Sequence, residues 1–244
     1  MQVPELSDFH LGGGTNLAIK YNHRESTDID LFSTNIVGTE RMAGIAATLE
    51  ERYRNNNIET TMVNSGSENL SFINAYIEKN DTDIKIQVIQ NVKLLHPIEN
   101  IDGIRLINDL DIGSLKLLAA ADRGELKDFY DLYLLSEKHG IGRLYDILIE
   151  RHTTHNPLTD ENIFNIPTNK PKADLSADLT PLGNFNNAGD RRKSGNRIAF
   201  TENSEVNISL LALKLRWIDI VKAFAKERGL KFQETKKQHR SARF

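Results

Sequence analysis

The order of apolar and polar residues along the chain predicts a small mixed sheet followed by helices. In the segment DIDLF, at 28–32, Asp28 and Asp30 alternate with apolar residues, which is the period-two pattern of a β-strand with both carboxylates on one face. A short apolar run from Phe9 into three glycines predicts a strand before it. Three later strand-like runs, separated by polar turn residues, cover 58–63, 70–78 and 83–89.

Apolar residues at helical spacing predict the remaining elements. The first helix follows the glycines, from Thr15 to about Tyr21, and a second, amphipathic helix at 41–53 is expected to pack on the sheet. Later helices are predicted at about 110–122, 125–137, 141–151 and 206–228. Residues 153–205 have few periodic apolar positions, which predicts a long, loosely structured segment. The expected organisation is an α+β core over 1–105 and a helical part over 106–244, with an irregular segment at about 153–205.

Composition narrows the possible chemistry. The chain has 244 residues, 39% of them hydrophobic, and no cysteine. The missing thiols exclude structural disulfides, cysteine-ligated zinc, iron–sulfur clusters and a cysteine nucleophile. Catalysis then depends on carboxylates, His, Lys, Ser or Thr, or a bound hard cation. No stretch approaches the ~18 consecutive apolar residues of a membrane span, and the first residues do not resemble a signal peptide. We therefore expect a cytoplasmic protein without a membrane partner.

Charge is distributed unevenly along the chain. Residues 1–150 carry 14 basic and 24 acidic side chains, whereas 151–244 carry 17 and 10. The two parts are either complementary faces of one molecule, or an acidic half with metal-binding carboxylates and a basic half that meets a polyanion such as RNA. Basic clusters at 191–193 and 236–243 are either solvated or contact the phosphates of an RNA.

A glycine turn and a carboxylate pair lie close together in the sequence. Gly13, Gly14 and Thr15 fall where a strand turns into a helix, and glycine lets the backbone approach a ligand while free N–H groups suit phosphate oxygens. Asp28 and Asp30 follow on the next strand, and Mg²⁺ accepts one or two carboxylates together with substrate phosphates. A phosphate cradle beside a metal platform predicts a triphosphate site.

Two long motifs resemble one protein family. The stretch FHLGGGTNLAIKYNHRESTDIDLF, at 9–32, resembles the opening motif of the nucleotidyltransferase toxins of the AbiEii/AbiGii family. The stretch DIGSLKLLAAADRGELKDFYDLYLL, at 111–135, is similar to the family's other hallmark, a Lys followed by R…KDxxDLY. The motifs stand in the family's order. The resemblance implies a polymerase-β-like nucleotidyltransferase core with a mixed sheet, followed by a helical C-terminal part.

The resemblance also implies roles for individual residues. Gly13, Gly14 and Thr15 would hold nucleotide phosphates, Asp28 and Asp30 would be catalytic and hold Mg²⁺, and Lys116 would place a positive charge on the triphosphate. On the helices, Asp131 is expected to join the catalytic set, and Asp128 is the next candidate carboxylate. The alternative for Lys116 and Asp131 is a solvated, salt-bridged helix face, with Arg123 and Lys127 on the same face unless Gly124 breaks the register.

Residues before the carboxylate pair belong to the same motif. Arg24 and Ser26 are candidates for nucleotide binding, although support of Asp28 by Arg24 and a turn into the strand at Ser26 are the favoured roles. His23, in a loop beside Arg24, is expected at the surface.

One position departs from the family pattern. Members of the family often have an Asp in the strand where this chain has Gln87, which shares a face with Lys85. A neutral amide binds Mg²⁺ less strongly, so Gln87 either weakens the binding of a second metal ion or shifts the role of the third carboxylate to Asp128 or Asp131. A catalytically degenerate protein is the remaining alternative. The chain also begins about ten residues before the glycines, where family members have a preceding helix.

The sequence therefore predicts an Mg²⁺-dependent nucleotidyltransferase that acts as the toxin of a toxin–antitoxin or phage-defence system. Its expected partners are an NTP, an RNA acceptor, with the 3′ end of tRNA as one candidate, and a cognate antitoxin protein. One alternative is a degenerate nucleotide-binding or interaction module. The other is a small-molecule (antibiotic) nucleotidyltransferase, which the basic C-terminal part disfavours because a cationic substrate prefers an acidic lining.

Overall fold

Seven strands form one mixed sheet. The structure, a computed structural model, describes residues 3–64, 70–80, 82–154, 173–188 and 196–234. The strands are β1 (His10–Gly12), β2 (Asp28–Phe32), β3 (Glu59–Asn64), β4 (Ser71–Lys79), β5 (Thr82–Ile89), β6 (Glu99–Ile101) and β7 (Ile104–Leu106). They are ordered β3-β4-β5-β2-β1-β7-β6, with β2 parallel to β5, β1 parallel to β7 and the other neighbours antiparallel. The predicted α+β class with a mixed sheet is confirmed.

Six α-helices accompany the sheet in the described ranges. They are α1 (Gly13–Tyr21), α2 (Thr39–Tyr53), α3 (Asp109–Arg123), α4 (Leu126–His139), α5 (Ile141–Thr154) and α6 (Leu210–Arg228). The last helix begins four residues later than predicted because Ser209 caps it, accepting a hydrogen bond from the backbone N–H of Ala212. The β6–β7 hairpin was not predicted, because each of its strands has only three residues and the hairpin joins the sheet through the pairing of β7 with β1. Each described helix is too short or too polar to cross a lipid bilayer.

The two faces of the sheet have different surroundings. Helix α2 buries Met42, Ile45 and Leu49 with apolar residues of β4 and β5, among them Ile73 and Ala75. A second core lies among α3, α4, α5 and α6 and includes the fully buried Trp217. Because side chains alternate along a strand, Asp28 and Asp30 project from the sheet face opposite α2. The boundary predicted near residue 105, between the α+β core and the helical part, stays a prediction.

The described parts of the segment at 153–205 beyond α5, residues 173–188 and 196–205, contain no α-helix, but they are packed rather than loose. Leu175, Leu179 and Leu182 are buried in the helical core. Asn187 donates from Nδ2 to the carbonyl of Arg123 at 2.7 Å, and Asn196 accepts from the backbone N–H of Leu126 at 2.7 Å, so both residues lie at the α3–α4 turn. The basic clusters at 191–193 and 236–243 lie outside the described residues.

Candidate active site

The turn from β1 into α1 brings the backbone against two charged side chains. Gly13 has a φ of 62°, in the left-handed region that favours glycine. A Cβ atom at Gly13 would lie 1.9 Å from Oδ2 of Asp30, and one at Gly14 would lie 2.0 Å from Nη2 of Arg24. The two glycines therefore allow the start of α1 to contact a carboxylate and a guanidinium that a larger residue would displace.

The carboxylates of β2 face the same cleft but differ in their partners. Oδ2 of Asp28 accepts a hydrogen bond from Nζ of Lys127 at 2.6 Å. Burial by itself would raise the pKa of Asp28, but the Lys127 ammonium holds it below its usual value. Asp30 has no hydrogen bond or ion pair within the described ranges, and burial, together with the charge of Asp28, raises its pKa in spite of Lys116. Asp28 is thus paired with a cation, whereas Asp30 has no such partner among the described residues.

Besides Arg24, four cationic side chains line the cleft around these carboxylates. Lys116 and Arg123 come from α3, Lys127 from the first turn of α4, and Lys85 from β5, where it pairs in register with Asp28. The helices are separate, because Gly124 ends α3 in the left-handed conformation with a φ of 60°. The cations therefore meet through packing of α3 against α4, and not on one continuous helix face.

Asp128 and Asp131 lie beneath the cleft and are completely buried. Asp128 accepts from Arg123 at 2.7 and 2.8 Å and from Lys116 at 3.0 Å. Burial would raise the pKa of Asp128, but these cations lower it to about 2. In this arrangement Asp128 positions Lys116 and Arg123 and presents no free oxygen to the cleft, so its catalytic role stays a prediction.

Asp131 joins the loop before β2 to the helices. Both of its oxygens accept from Arg24, at 2.8 Å each, and Lys116 lies 2.7 Å from Oδ2. Burial is outweighed by Arg24 and Lys116, which hold the pKa of Asp131 well below its usual value. His23, 2.9 Å from Oδ1 of Asp131, is buried, so its expected surface position was wrong. Asp131 thus holds Arg24 and Lys116 in place, and its predicted catalytic role also remains untested.

Thr15 and Ser26 connect α1 to the start of β2. The hydroxyl of Thr15 lies 2.9 Å from Oγ of Ser26 and also donates to the backbone carbonyl of Asp28. Ser26 lines the cleft, whereas the hydroxyl of Thr15 is occupied by these contacts. This fits the structural role favoured for Ser26; the nucleotide-binding role of both residues stays a prediction.

The cleft has a polar and an apolar part. The polar part is lined by Gly14, Arg24, Ser26, Asp28, Asp30, Lys85, Gln87, Lys116, Arg123 and Lys127. The apolar part, with a volume of about 360 Å³, adds Gly13, Phe32, Ile89, Ile112, Leu115 and Ala119 and shares Asp30, Lys85, Gln87, Lys116 and Arg123 with the polar part. Such a shape suits a ligand with an anionic end and a flat, less polar end.

The donor set fits a hard divalent cation shared with a ligand. No cluster of three His, Cys, Asp or Glu side chains of metal-binding geometry occurs in the part of the chain that the structure describes. Two carboxylates suffice for Mg²⁺ when substrate phosphates and water complete its coordination. Asp30, which has no cationic partner within the described residues and whose pKa is raised by burial, is placed to accept such a cation.

Gln87 lies directly beside Asp30 on the parallel strand β5 and lines both parts of the cleft. Its Nε2 donates to Oδ1 of Asn74 at 2.7 Å. The amide thus occupies the position at which the sequence pattern led us to look for a third carboxylate.

Lys85, Arg123 and Lys127 line the cleft but were not predicted as site residues. The sequence did contain a pattern for each of them. Lys85 lies on the same strand face as Gln87, and Arg123 and Lys127 lie at helical spacing from Lys116. Their importance depends on which surface faces the cleft, and only the packing of α3 and α4 on the sheet determines that.

Three comparisons place these observations among known proteins. The family model for the nucleotidyl transferase AbiEii toxin of type IV toxin–antitoxin systems matches residues 1–188. An uncharacterized protein of Aquifex aeolicus (strain VF5) is 33% identical over 135 residues, which is 55% of this chain and 60% of that protein. The chain thus spans about three fifths of this curated relative. The crystal structure of the Megavirus polyadenylate synthase aligns with a TM-score of 0.38 and 15% identity over 56% of this chain and 29% of that one.

Proposed function

Because the chain belongs to the nucleotidyl transferase AbiEii toxin family of type IV toxin–antitoxin systems, we propose that it is an Mg²⁺-dependent enzyme that transfers a nucleotide from an NTP to an RNA. The observation that carries this proposal is the pair of Asp28 and Asp30, which faces a cleft lined by five cationic side chains and by the glycine turn at the start of α1. A polyanionic substrate and a divalent cation together satisfy both signs of charge in this cleft.

Asp28 and Asp30 would hold the metal ion. When bound, Mg²⁺ would neutralise charge on the phosphates and the reacting oxygens. The carboxylate of Asp28 is at present held by Lys127 at 2.6 Å, so this ammonium can move from Asp28 to a phosphate oxygen when the metal and the nucleotide are present. Lys127 thus supplies a cation to the site in either state.

The remaining cations would hold the triphosphate. Lys116 and Arg123 are fixed from below by Asp128, so their charges are already positioned before the substrate binds. Backbone N–H groups at the start of α1 add hydrogen-bond donors, and Gly13 and Gly14 leave room for phosphate oxygens to approach them. Preorganised donors of this kind stabilise the charge that develops during phosphoryl transfer.

The chemical step is an in-line displacement. A hydroxyl oxygen of the acceptor forms a bond to the α-phosphorus of the NTP, the bond from that phosphorus to pyrophosphate breaks, and the hydroxyl proton passes to water. The protein's share is to orient the two reactants and to stabilise the anionic leaving group with Lys116, Arg123 and Lys127.

The apolar part of the cleft would receive the nucleoside of the NTP. Phe32, Leu115 and Ala119 provide apolar surface beside Asp30. Among the lining residues, Gln87 would lie near the base, and its amide already donates to Asn74. We therefore expect size and stacking, more than hydrogen bonds to base edges, to set the preference among the four NTPs.

The biological setting follows from the family. A toxin of a type IV system acts in the cell that makes its antitoxin, so the proposed partners are a cognate antitoxin and a cellular RNA, with the 3′ end of tRNA as one acceptor. A role in phage defence and a cytoplasmic location belong to the same proposal.

The decisive experiment is transfer of labelled nucleotide. The purified full chain would be incubated with Mg²⁺, each of the four labelled NTPs and total RNA, in parallel with Asp28→Asn and Asp30→Asn variants. We expect RNA labelling by the wild-type chain that is lost in both variants and on addition of EDTA. Absence of label with all four NTPs, from protein shown to be folded, would contradict the proposal.

Gln87 supports a second candidate, a nucleotide-binding module without turnover. A carboxamide engaged with Asn74 replaces a charged ligand beside Asp30. Calorimetric titration with NTP and Mg²⁺ separates the two candidates, because the module would bind nucleotide in the absence of any transfer.

A further inference from the structure

The sheet face that carries Asp28 and Asp30 continues across three more strands. In one cross-strand row Asp28 is followed by Lys85 on β5, Tyr76 on β4 and Glu59 on β3. The opposite face of β4 is covered, because Ile73, Ala75 and Ile77 are buried in the core with α2. The row therefore leads outward from the candidate active site on the face that α2 leaves open.

The neighbouring row is polar. Asp30 is followed by Gln87, Asn74 and Thr61, again in register. Neighbouring strands lie about 4.8 Å apart, so Tyr76, two strands from Asp28, is separated from it by about 10 Å. That separation is close to the length of one or two nucleotides.

Tyr76 is the large side chain that stands out on this face. It is 49% exposed, although its row is otherwise formed by charged residues. A single exposed aromatic residue needs no special explanation by itself. Its place in register with a catalytic carboxylate and beside Lys85 gives it a ring for stacking and a cation for a phosphate at the exit of the cleft.

We infer that the open face of β5 and β4 binds the single-stranded 3′ end of the RNA acceptor, with a base stacked on Tyr76 and the adjoining phosphate near Lys85. This inference rests on the proposed function and adds the acceptor site to it. Aromatic rings stack on any base, so such a platform tolerates different sequences. It also presents the terminal hydroxyl toward Asp28 and Asp30.

Charge limits the length of this platform. Beyond Tyr76, Glu78 and Asp83 pair in register and form an acidic row at the end of the hairpin. Phosphates are repelled there and attracted to Lys85, Arg123 and Lys127 on the other side. The face accordingly suits a short, flexible strand end and not the rigid backbone of a duplex.

The test is direct binding of a single-stranded RNA that carries 2-aminopurine at its last position. We expect its fluorescence to be quenched by the wild-type chain and by Tyr76→Phe, and the affinity to fall about tenfold in Tyr76→Ala. Met62→Ala is the matched control, because Met62 is also exposed, on β3, but pairs with Ile73 and lies on the opposite face. The NTP affinity of all three variants should equal that of the wild type.

Lys85→Ala provides an independent measurement. Removing one phosphate contact should reduce the slope of log K against log salt for RNA binding by about one. Unchanged RNA binding and quenching in Tyr76→Ala would overturn the platform. If Tyr76→Ala instead lost antitoxin binding and kept RNA binding, this face would be a protein interface, and the platform would also be overturned. Because binding is measured without turnover, absence of nucleotide transfer would refute the proposed function alone.

Discussion

The ammonium nitrogen of Lys127 lies 2.6 Å from Oδ2 of Asp28. The contact joins the first turn of α4 to the strand β2 across the candidate cleft. It also places a cation on one of the two carboxylates proposed to hold Mg²⁺, while Asp30 has no such partner in the described ranges. Lys127 would thus compete with the proposed metal ion for Asp28.

Replacement of Lys127 should separate metal binding from transfer. In Lys127→Gln the competing charge is gone, so Mg²⁺ should bind more tightly in the absence of nucleotide. Transfer should nevertheless slow by about tenfold or more, because a cation at the triphosphate is lost. Calorimetry with Mg²⁺ and a transfer assay measure the two effects, and Lys138→Gln, on the same helix but paired with Glu205, is the control. Unchanged Mg²⁺ affinity would show that the ion pair does not compete.

Replacement of Asp30 should stabilise the metal-free protein. The pKa of Asp30 is raised in the folded state. The folded state therefore favours the protonated carboxyl at low pH, and this contribution to stability is lost as the pH rises through the folded-state pKa of Asp30. At pH 7 the ionised carboxylate is therefore a cost that Asp30→Asn removes. We expect a higher melting temperature than wild type in EDTA, a smaller difference in Mg²⁺, and no transfer activity. A lower melting temperature in EDTA would contradict this reasoning.

The glycine turn should not tolerate a side chain. Gly14→Ala forces a Cβ to within 2.0 Å of Nη2 of Arg24, which both oxygens of Asp131 hold in place. We expect a loss of about 1–3 kcal/mol in the free energy of unfolding and weaker nucleotide binding. Gly44→Ala, in α2 with no atom within 4 Å of the new Cβ, is the control and should stabilise by about 0.5–1 kcal/mol. Equal urea midpoints for the two variants would refute the close approach at Gly14.

Asp131 should contribute strongly to stability and to its dependence on pH. Because Arg24 and Lys116 lower the pKa of Asp131, the stabilisation it provides is complete above its unfolded-state pKa of about 4 and is lost as the pH falls further. Asp131→Asn leaves buried cations without their partner, at a cost of about 3–5 kcal/mol at pH 7. Asp8→Asn, which removes the exposed partner of Arg41, should cost less than about 1 kcal/mol.

Urea unfolding at several pH values measures both effects. The stability difference between wild type and Asp131→Asn should shrink below pH 4, because protonation of Asp131 removes the same charge from the wild type. A difference that is independent of pH between 2 and 7 would show that Asp131 acts through packing and not through its charge.

Local pattern was sufficient for most of the secondary structure. The alternation at 28–32 fixed the orientation of Asp28 and Asp30, because neighbouring residues of a strand point to opposite faces. The β6–β7 hairpin escaped detection because its strands have three residues each and depend on pairing with β1. The burial of Leu175 and Leu182 was not predicted either, because an irregular segment has no regular spacing of apolar residues.

The sequence by itself determined the family, the α+β class, the glycine turn and the carboxylate pair, since all of these depend on residues that are near neighbours along the chain. The tertiary structure decided which charges meet. Asp131 binds Arg24 over 107 residues of sequence, and Lys127 binds Asp28 over 99. Partners so far apart are brought together by the packing of α3 and α4 on the sheet. The same packing leaves Asp30 without a cationic partner among the residues that the structure describes.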